Sequence, residues 1–463
     1  MGEDEEIKMV EALKVQYSDL ILLSSSNTES SVVAEEVERL NSVLTSIMEA
    51  LGPSGTGLLI ITGAPNTSQL RQNLLPLARS LALLNNGDRK QILKDHGLGS
   101  DVPLKNLDRI VSSFAMQLKY GLESERAENG ESHEGADSNN LKKSDTNGQN
   151  FVELPDFEFQ NLGSTFRKIG FCMMEMGLCL ARICDRAIGG HELEQSLIQS
   201  GTAKGRLIHY HSALDNLIVK ESARRKGSTK QSAKAKPLLH SKGSLEGSKC
   251  TQRSVRGTQS EKSGRNAQSD GNDLWQQWHY DYGIFTVLTT PLFISNGKVN
   301  NSIANEHLHT YHQDQTYLQI FDPNKNEVLM VRAPPESFIV QVGESADIIS
   351  KGKLRAALHS VYRPRKSEHL SRETFVVFLQ PAWGKTFSLS NYPMENILSS
   401  SQDSKVYDEE ANDKRQEPCI LTTGIHKIVP PLSSRLKEGM TFAEFSRETT
   451  KKYYGGNGLQ SKR

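Results

Sequence analysis

From Leu274 to Leu379 the chain breaks into short β-branched and aromatic runs, each closed by polar, Gly or Pro residues. The runs are Ile284–Thr290, Thr316–Phe321, Glu327–Val331, Ser337–Val342, Arg355–Val361 and Thr374–Leu379. This spacing predicts an antiparallel sandwich or jelly roll rather than alternating β-α units. Everything upstream and downstream must then pack around that sheet structure.

The flanking sequence supplies mostly helices. Val33, Val37, Leu40, Leu44, Ile47 and Leu51 recur at a helical period that ends at Gly52-Pro53. Leu58-Leu59-Ile60-Ile61-Thr62 reads as a short buried strand. A second helix is expected from about Leu70 to Leu84, kinked or broken at Pro76, and a third over 104–122. Leu162, Phe166, Ile169, Met176 and Ile183 mark a long helix that stops at Gly189-Gly190. The tail from Pro430 to Arg463 contains an amphipathic helix around Phe442, Phe445 and Tyr453-Tyr454. Hydrophobic residues make up only 36% of the 463, which predicts ordered cores diluted by disordered inserts. The acidic loop 124–150 and the basic insert 217–272 have little to bury. The expected division is an N-terminal helical region with one or two strands (1–200), a jelly-roll core (201–385) and a C-terminal extension with a helix (386–463). The class is α+β.

Formal net charge is zero, so no global field points to nucleic acid or membrane as the main partner. No apolar run approaches a membrane span, and the acidic start, Met1-Gly2-Glu3-Asp4-Glu5-Glu6, has no secretory h-region. The expected place is the cytoplasm, and the basic insert also admits the nucleus. Three of the five cysteines, Cys172, Cys179 and Cys184, share one apolar helical stretch without Cys-x-x-Cys spacing, and read as reduced core thiols.

Chemistry concentrates at the head of the β-rich region. His279 and Asp281 stand two apart in Trp278-His279-Tyr280-Asp281-Tyr282-Gly283, just before Phe285-Thr286-Val287-Leu288. On one strand, positions i and i+2 share a face, so imidazole and carboxylate are expected to converge. His359, in Ala357-Leu358-His359-Ser360-Val361, is the third candidate, although alone it fits a core histidine bonded to backbone equally well. Two imidazoles and a carboxylate, with open positions left over, are what a non-haem Fe(II) oxygenase needs. A second His-x-Asp, His312-Gln313-Asp314, lies in the polar stretch 295–315. That stretch reads as a surface loop, and His307, His309 and His312 as loop residues.

Arg372 and Thr374 are again i and i+2, at the head of an apolar strand. A guanidinium beside a hydroxyl makes a carboxylate clamp. An arginine inside a barrel is costly without an anion, whereas one at a strand start is commonly exposed. The dicarboxylate 2-oxoglutarate suits the inward arrangement, with its keto-acid end on iron and its distal carboxylate at Arg372.

In this order the motifs resemble the plant-type, isopenicillin-N-synthase-like branch of the 2-oxoglutarate- and Fe(II)-dependent dioxygenases. The resemblance rests on His279 through Leu288, on the strand Tyr317-Leu318-Gln319-Ile320-Phe321, on Ala333-Pro334-Pro335 through Glu344, on Lys351 through His359, and on Arg372-Glu373-Thr374 with Gln380-Pro381 after it. Upstream, Gly57 through Gly63 and Arg206-Leu207-Ile208-His209-Tyr210 resemble two further family strands. The resemblance implies a double-stranded β-helix core with Fe(II) on His279, Asp281 and His359. It implies 2-oxoglutarate held by Arg372, Thr374 and the Tyr210 hydroxyl, with O2 as oxidant. The implied activity is hydroxylation or desaturation of a small organic molecule with release of succinate and CO2. Ile208 and His211 depart from the family's usual Asn and Pro, and Thr374 from its Ser. Two other readings stay open: a non-catalytic jelly-roll binding or scaffold protein, and an iron oxidase of the same fold that does not use 2-oxoglutarate. A membrane is excluded as partner, nucleic acid is disfavoured, and the sequence says nothing of oligomeric state.

Overall fold

A computed structural model of the protein describes residues 8–25, 34–100, 102–104, 106–120, 156–232, 274–295, 307–308, 314–364, 369–393, 425 and 428–454. The first strands are β1 (Lys8–Glu11), β2 (Lys14–Gln16), β3 (Leu58–Thr62), β4 (Gly99–Ser100), β5 (Val111–Lys119) and β6 (Thr202–Tyr210). Then come β7 (Leu274–His279), β8 (Phe285–Thr289), β9 (Leu292–Ser295), β10 (His307–Leu308) and β11 (Gln315–Asp322). The last are β12 (Glu327–Arg332), β13 (Phe338–Val342), β14 (His359–Tyr362) and β15 (Leu370–Leu379). The smaller sheet runs β1-β12-β11-β14-β7 and the larger β2-β3-β13-β8-β15-β6-β5-β4, with β9 on β15 and β10 on β9. Pairings are antiparallel except β1 with β12 and β2 with β3. The two sheets wall a shared cavity, lined by β7, β11 and β14 on one side and β6, β8 and β15 on the other. This is the expected jelly roll of an α+β chain.

The outer face of the larger sheet is covered by helices. The long helix Leu162–Ile188 lays Phe166, Ile169, Met173, Leu180 and Ile183 into the main core, each at most 1% exposed. Burial of side chains this size stabilises by roughly 1.5–3 kcal/mol each. The helix stops at Gly189, which takes φ 75°, a left-handed cap that glycine adopts without steric cost. Cys179 and Cys184 are buried on this helix and Cys172 half-buried, all as free thiols. Helices Ala34–Leu51 and Phe442–Tyr454 stand where the periodicity places them.

Four local expectations differ from the structure. The stretch 104–122 holds strand β5, not a helix. Ser112, Phe114, Met116 and Leu118 are buried while Gln117 and Lys119 are exposed, a period of two imposed by pairing with β6 along its length. Pro76 neither ends nor divides its helix, which runs unbroken from Thr67 to Leu83. Leu74, Leu75, Ala78 and Leu81 are fully buried around it, and that packing outweighs the roughly 3 kcal/mol an interior proline costs. The basic insert 217–272 begins as helix, Ala213–Ser232, and its remainder lies outside the described residues. The polar stretch 295–315 contains β10, paired with β9. The acidic loop 124–150, His309 and His312 lie outside the described residues.

Of the N-terminal strands, β1 edges the smaller sheet and β2 to β5 belong to the larger. β3 pairs with β13, Ile60 opposite Ile339, and β5 covers β6.

Candidate metal centre and anion pocket

His279 is the last residue of β7 and His359 the first of β14, and the two are direct cross-strand partners. Their rings lie 4.3 Å apart, centroid to centroid. Asp281 is not on a strand with His279. It sits in the connection to β8, so the expected i, i+2 sharing of a strand face is not what brings the groups together. Sheet register aligns the two imidazoles, and a fixed loop supplies the carboxylate.

That loop is pinned from several sides. The backbone N–H groups of Gly343, Glu344 and Ser345 donate to the carbonyls of Ile284, Asp281 and Gly283 at 2.9, 2.8 and 3.0 Å. The Ser345 hydroxyl donates to Tyr282 O at 2.6 Å. Position 343 must be glycine, because a Cβ there would lie 2.3 Å from Gly283 O. The C-terminal region ties down the same turn. Arg435, buried, donates to both Glu344 oxygens at 2.7 and 2.5 Å, and the Tyr280 N–H donates to Tyr453 Oη at 3.2 Å.

The donor atoms face one point. Asp281 Oδ1 is 3.8 Å from His279 Nε2, and Oδ2 is 3.8 Å from His359 Nε2. One donor atom from each of the three lies within 4.8 Å of the others. His279 Nδ1 donates to Gln277 O at 2.7 Å and His359 Nδ1 to Ala357 O at 3.0 Å. The proton is thereby held on Nδ1 in both rings, and the Nε2 lone pairs are left to face Asp281. Burial, then the neighbouring His359, pushes the His279 imidazole down to about 4 against the pull of Asp281, so it is neutral at ordinary pH. Thr286 Oγ1 on β8 donates to Asp281 Oδ2 at 2.7 Å and orients the carboxylate. Two imidazoles and one carboxylate on a concave wall fit a divalent ion of the ferrous type with coordination positions to spare.

The cavity beside them measures about 290 Å³. Arg372 and Thr374 lie on β15, 2% and 1% exposed, and both line it. Arg372 donates through Nε to Thr316 O at 3.0 Å, and its guanidinium lies 5.1 Å over the Tyr210 ring. Among the described residues no carboxylate stands within ion-pair distance of Arg372. Burial pushes this guanidinium's pKa down, against the opposing pull of Tyr210 and Glu373. The Thr374 hydroxyl donates to Thr289 O at 3.2 Å. Tyr210 is buried opposite Arg372 in the β6–β15 register, and its hydroxyl donates to Gln276 Oε1 at 3.0 Å. Gln276 Nε2 in turn lies 3.0 Å from His279 Nε2.

Gln276 escapes a strict strand reading. It lies three residues before His279, and a period of two would place them on opposite faces. The β7–β14 register shifts between His359 and Val361, and both side chains reach the cavity. Behind the wall lies a second feature that no spacing announced. His209 Nδ1 is 2.9 Å from both Glu373 oxygens, and its Nε2 is 3.6 Å from Asp215, which Arg79 contacts at 3.0 Å. His211, where the resemblance expects proline, is buried there with Nε2 2.9 Å from Ser112 Oγ. Ile208 lines the cavity.

No helix among the described residues is long and apolar enough to cross a membrane. No curated protein matches the chain significantly. Solved structures of similar shape include a full-length Neurospora crassa protein in complex with alpha-KG and 5-formyluracil, at 11% identity, with 85% of this chain and 93% of that chain covered and a TM-score of 0.44. The dioxygenase for auxin oxidation in rice matches at 15% identity, 81% and 85% coverage and a TM-score of 0.42. The Arabidopsis thaliana dioxygenase for auxin oxidation 1, in its 2-oxoglutarate complex, matches at 11% identity, 80% and 92% coverage and a TM-score of 0.41. The sequence model of the 2OG-Fe(II) oxygenase superfamily matches residues 266–381, a span that contains His279, Asp281, His359, Arg372 and Thr374. With its donor set, its buried guanidinium and this match, the stretch 266–381 belongs to the 2OG-Fe(II) oxygenase superfamily, whose members use Fe(II), 2-oxoglutarate and O2.

Proposed function

We propose that the chain oxidises a small organic substrate, by hydroxylation or desaturation, with conversion of 2-oxoglutarate and O2 to succinate and CO2. His279, Asp281 and His359 hold Fe(II) through Nε2, a carboxylate oxygen and Nε2. Arg372 receives the distal carboxylate of 2-oxoglutarate, with Thr374 beside it on the same face of β15 and the Tyr210 hydroxyl nearby. When bound, the iron supplies O2 activation and the one-electron chemistry that no side chain can perform.

The protein's own contribution is orientation and exclusion. The Nδ1–H bonds to Gln277 O and Ala357 O keep both imidazoles in the metal-binding tautomer. Thr286 holds Asp281 so that its two oxygens face the two rings. Leu288, Leu318, Val361, Val376 and Phe378 give the cavity apolar walls that displace water around the reacting groups.

The observation that carries this reading is Arg372. It is a buried guanidinium without a carboxylate partner among the described residues, on the cavity that the metal-type triad faces. A buried charge of that kind is costly until an anion completes it. A dicarboxylate bound to a metal at one end and to Arg372 at the other completes it. Succinate production from 2-oxoglutarate, assayed with and without Fe(II) in the wild type and in His279→Ala, tests the assignment. Succinate formed at equal rates with and without iron, or undiminished in His279→Ala, refutes it.

A further inference from the structure

We infer that Gln276 positions the metal-bound head of the co-substrate, an inference that rests on the iron and 2-oxoglutarate reading above. The chain of hydrogen bonds fixes which atoms donate. Because His279 carries its proton on Nδ1, its Nε2 can only accept, and the Gln276 amide nitrogen must be the donor at 3.0 Å. The Gln276 carbonyl oxygen accepts from the Tyr210 hydroxyl at 3.0 Å, which sets the amide the same way round. Both bonds agree on one orientation, with the NH2 group aimed at the atom proposed to bind the metal.

Metal binding at His279 Nε2 consumes the lone pair that Gln276 uses. The NH2 group then loses its acceptor, while Tyr210 still holds the carbonyl end. A half-buried amide left in that state seeks another acceptor in the same direction. On that side lies the cavity that Gln276 lines together with His279, Asp281 and His359. The acceptor that arrives there is an oxygen of the keto-acid end of 2-oxoglutarate, an anionic group that a neutral N–H donor recognises well. Gln276 therefore has two states. It caps His279 in the metal-free protein, and it orients the co-substrate head once the metal is seated. Tyr210 acts on the co-substrate through Gln276 as well as by its own place beside Arg372.

The test separates two affinities rather than two activities. Full-length wild type, Gln276→Leu and Gln276→Glu are titrated by calorimetry, first with Mn(II) alone as a non-oxidising stand-in for Fe(II), then with 2-oxoglutarate on the Mn(II)-loaded protein. Gln276→Leu removes a competitor for His279, so its Mn(II) affinity is expected within about twofold of wild type or tighter. Its 2-oxoglutarate affinity is expected to fall roughly ten- to a hundredfold. Gln276→Glu keeps the acceptor for Tyr210 but adds a charge, so it is expected to tighten Mn(II) and weaken 2-oxoglutarate, opposite movements that misfolding does not produce. Gln276→Leu binding 2-oxoglutarate like wild type, or losing Mn(II) and 2-oxoglutarate in parallel, overturns the inference and leaves the iron reading standing. Wild type that takes up neither ligand overturns both.

Discussion

Replacing Arg372 by methionine gives two effects that point in opposite directions. Arg372 is 2% exposed, and its one hydrogen bond within the described protein is the 3.0 Å contact to Thr316 O. Losing that bond costs about 1 kcal/mol, while removing a buried charge with no carboxylate partner among the described residues returns a comparable or larger amount. The metal-free, co-substrate-free variant is therefore expected to melt at the wild-type temperature or above it. With 2-oxoglutarate the balance reverses. Truncating one side of a buried, hydrogen-bonded charge pair costs about 3–5 kcal/mol, which is roughly a hundred- to a few-thousandfold in affinity. The KM for 2-oxoglutarate should rise by that order, and the thermal stabilisation that 2-oxoglutarate gives the Mn(II)-loaded wild type should vanish. Arg372→Lys keeps the charge but not the planar fork, so it should fall between the two. Differential scanning fluorimetry with and without 2-oxoglutarate, beside a succinate assay, reads both effects. An Arg372→Met protein with an unchanged KM, or one that melts far below wild type before any ligand is added, would show that Arg372 is a structural residue and refute the reasoning.

Further outcomes follow from the same geometry. His279→Ala, Asp281→Ala and His359→Ala should each weaken Mn(II) binding by more than roughly a hundredfold, and chelation should lower the melting temperature of metal-loaded wild type only. Gly343→Ala places a Cβ 2.3 Å from Gly283 O and should displace the loop that carries Asp281, lowering metal affinity more than it lowers the melting temperature. His279 titrates near 4 in the fold and near 6.5 when unfolded. Between those values the unfolded chain holds a proton that the fold does not, so urea stability of the metal-free protein should fall as pH drops from about 6.5 towards 4. His279→Asn should flatten that part of the profile, and an unchanged slope would contradict the assigned burial. Glu373→Ala leaves the buried His209 Nδ1 without its 2.9 Å partner and should destabilise by about 1–3 kcal/mol in chemical denaturation.

Much of the candidate site can be read in the chain because the proposed chemistry needs particular side chains at particular distances. His279, Asp281, His359, Arg372 and Thr374 announce themselves as polar groups at the heads of apolar, strand-forming runs. Strand alternation nevertheless does not bring His279 and Asp281 together, since Asp281 has left the strand, and the register of β7 against β14 does the aligning. The irregular pairing of those same strands hides Gln276. The His209–Glu373 contact joins residues 164 apart, and only the β6–β15 register brings them together. Strand β5 passes for a helix because Phe114, Ala115, Met116 and Leu118 suit either state, and its length of pairing with β6 decides the matter.

The interleaving of early strands with late ones bears on how the protein can be handled. The stretch 266–381 holds the chemistry but not its neighbours in the larger sheet. Excised alone, it would strip β13 of β3 and β15 of β6, baring two long rows of backbone donors and acceptors. It would also uncover Phe375, Val377 and Leu379 from beneath the long helix. Such a fragment is a template for edge-to-edge aggregation rather than a miniature enzyme, and shortened versions for crystallography or screening should keep residues 58–62, 111–119 and 162–210.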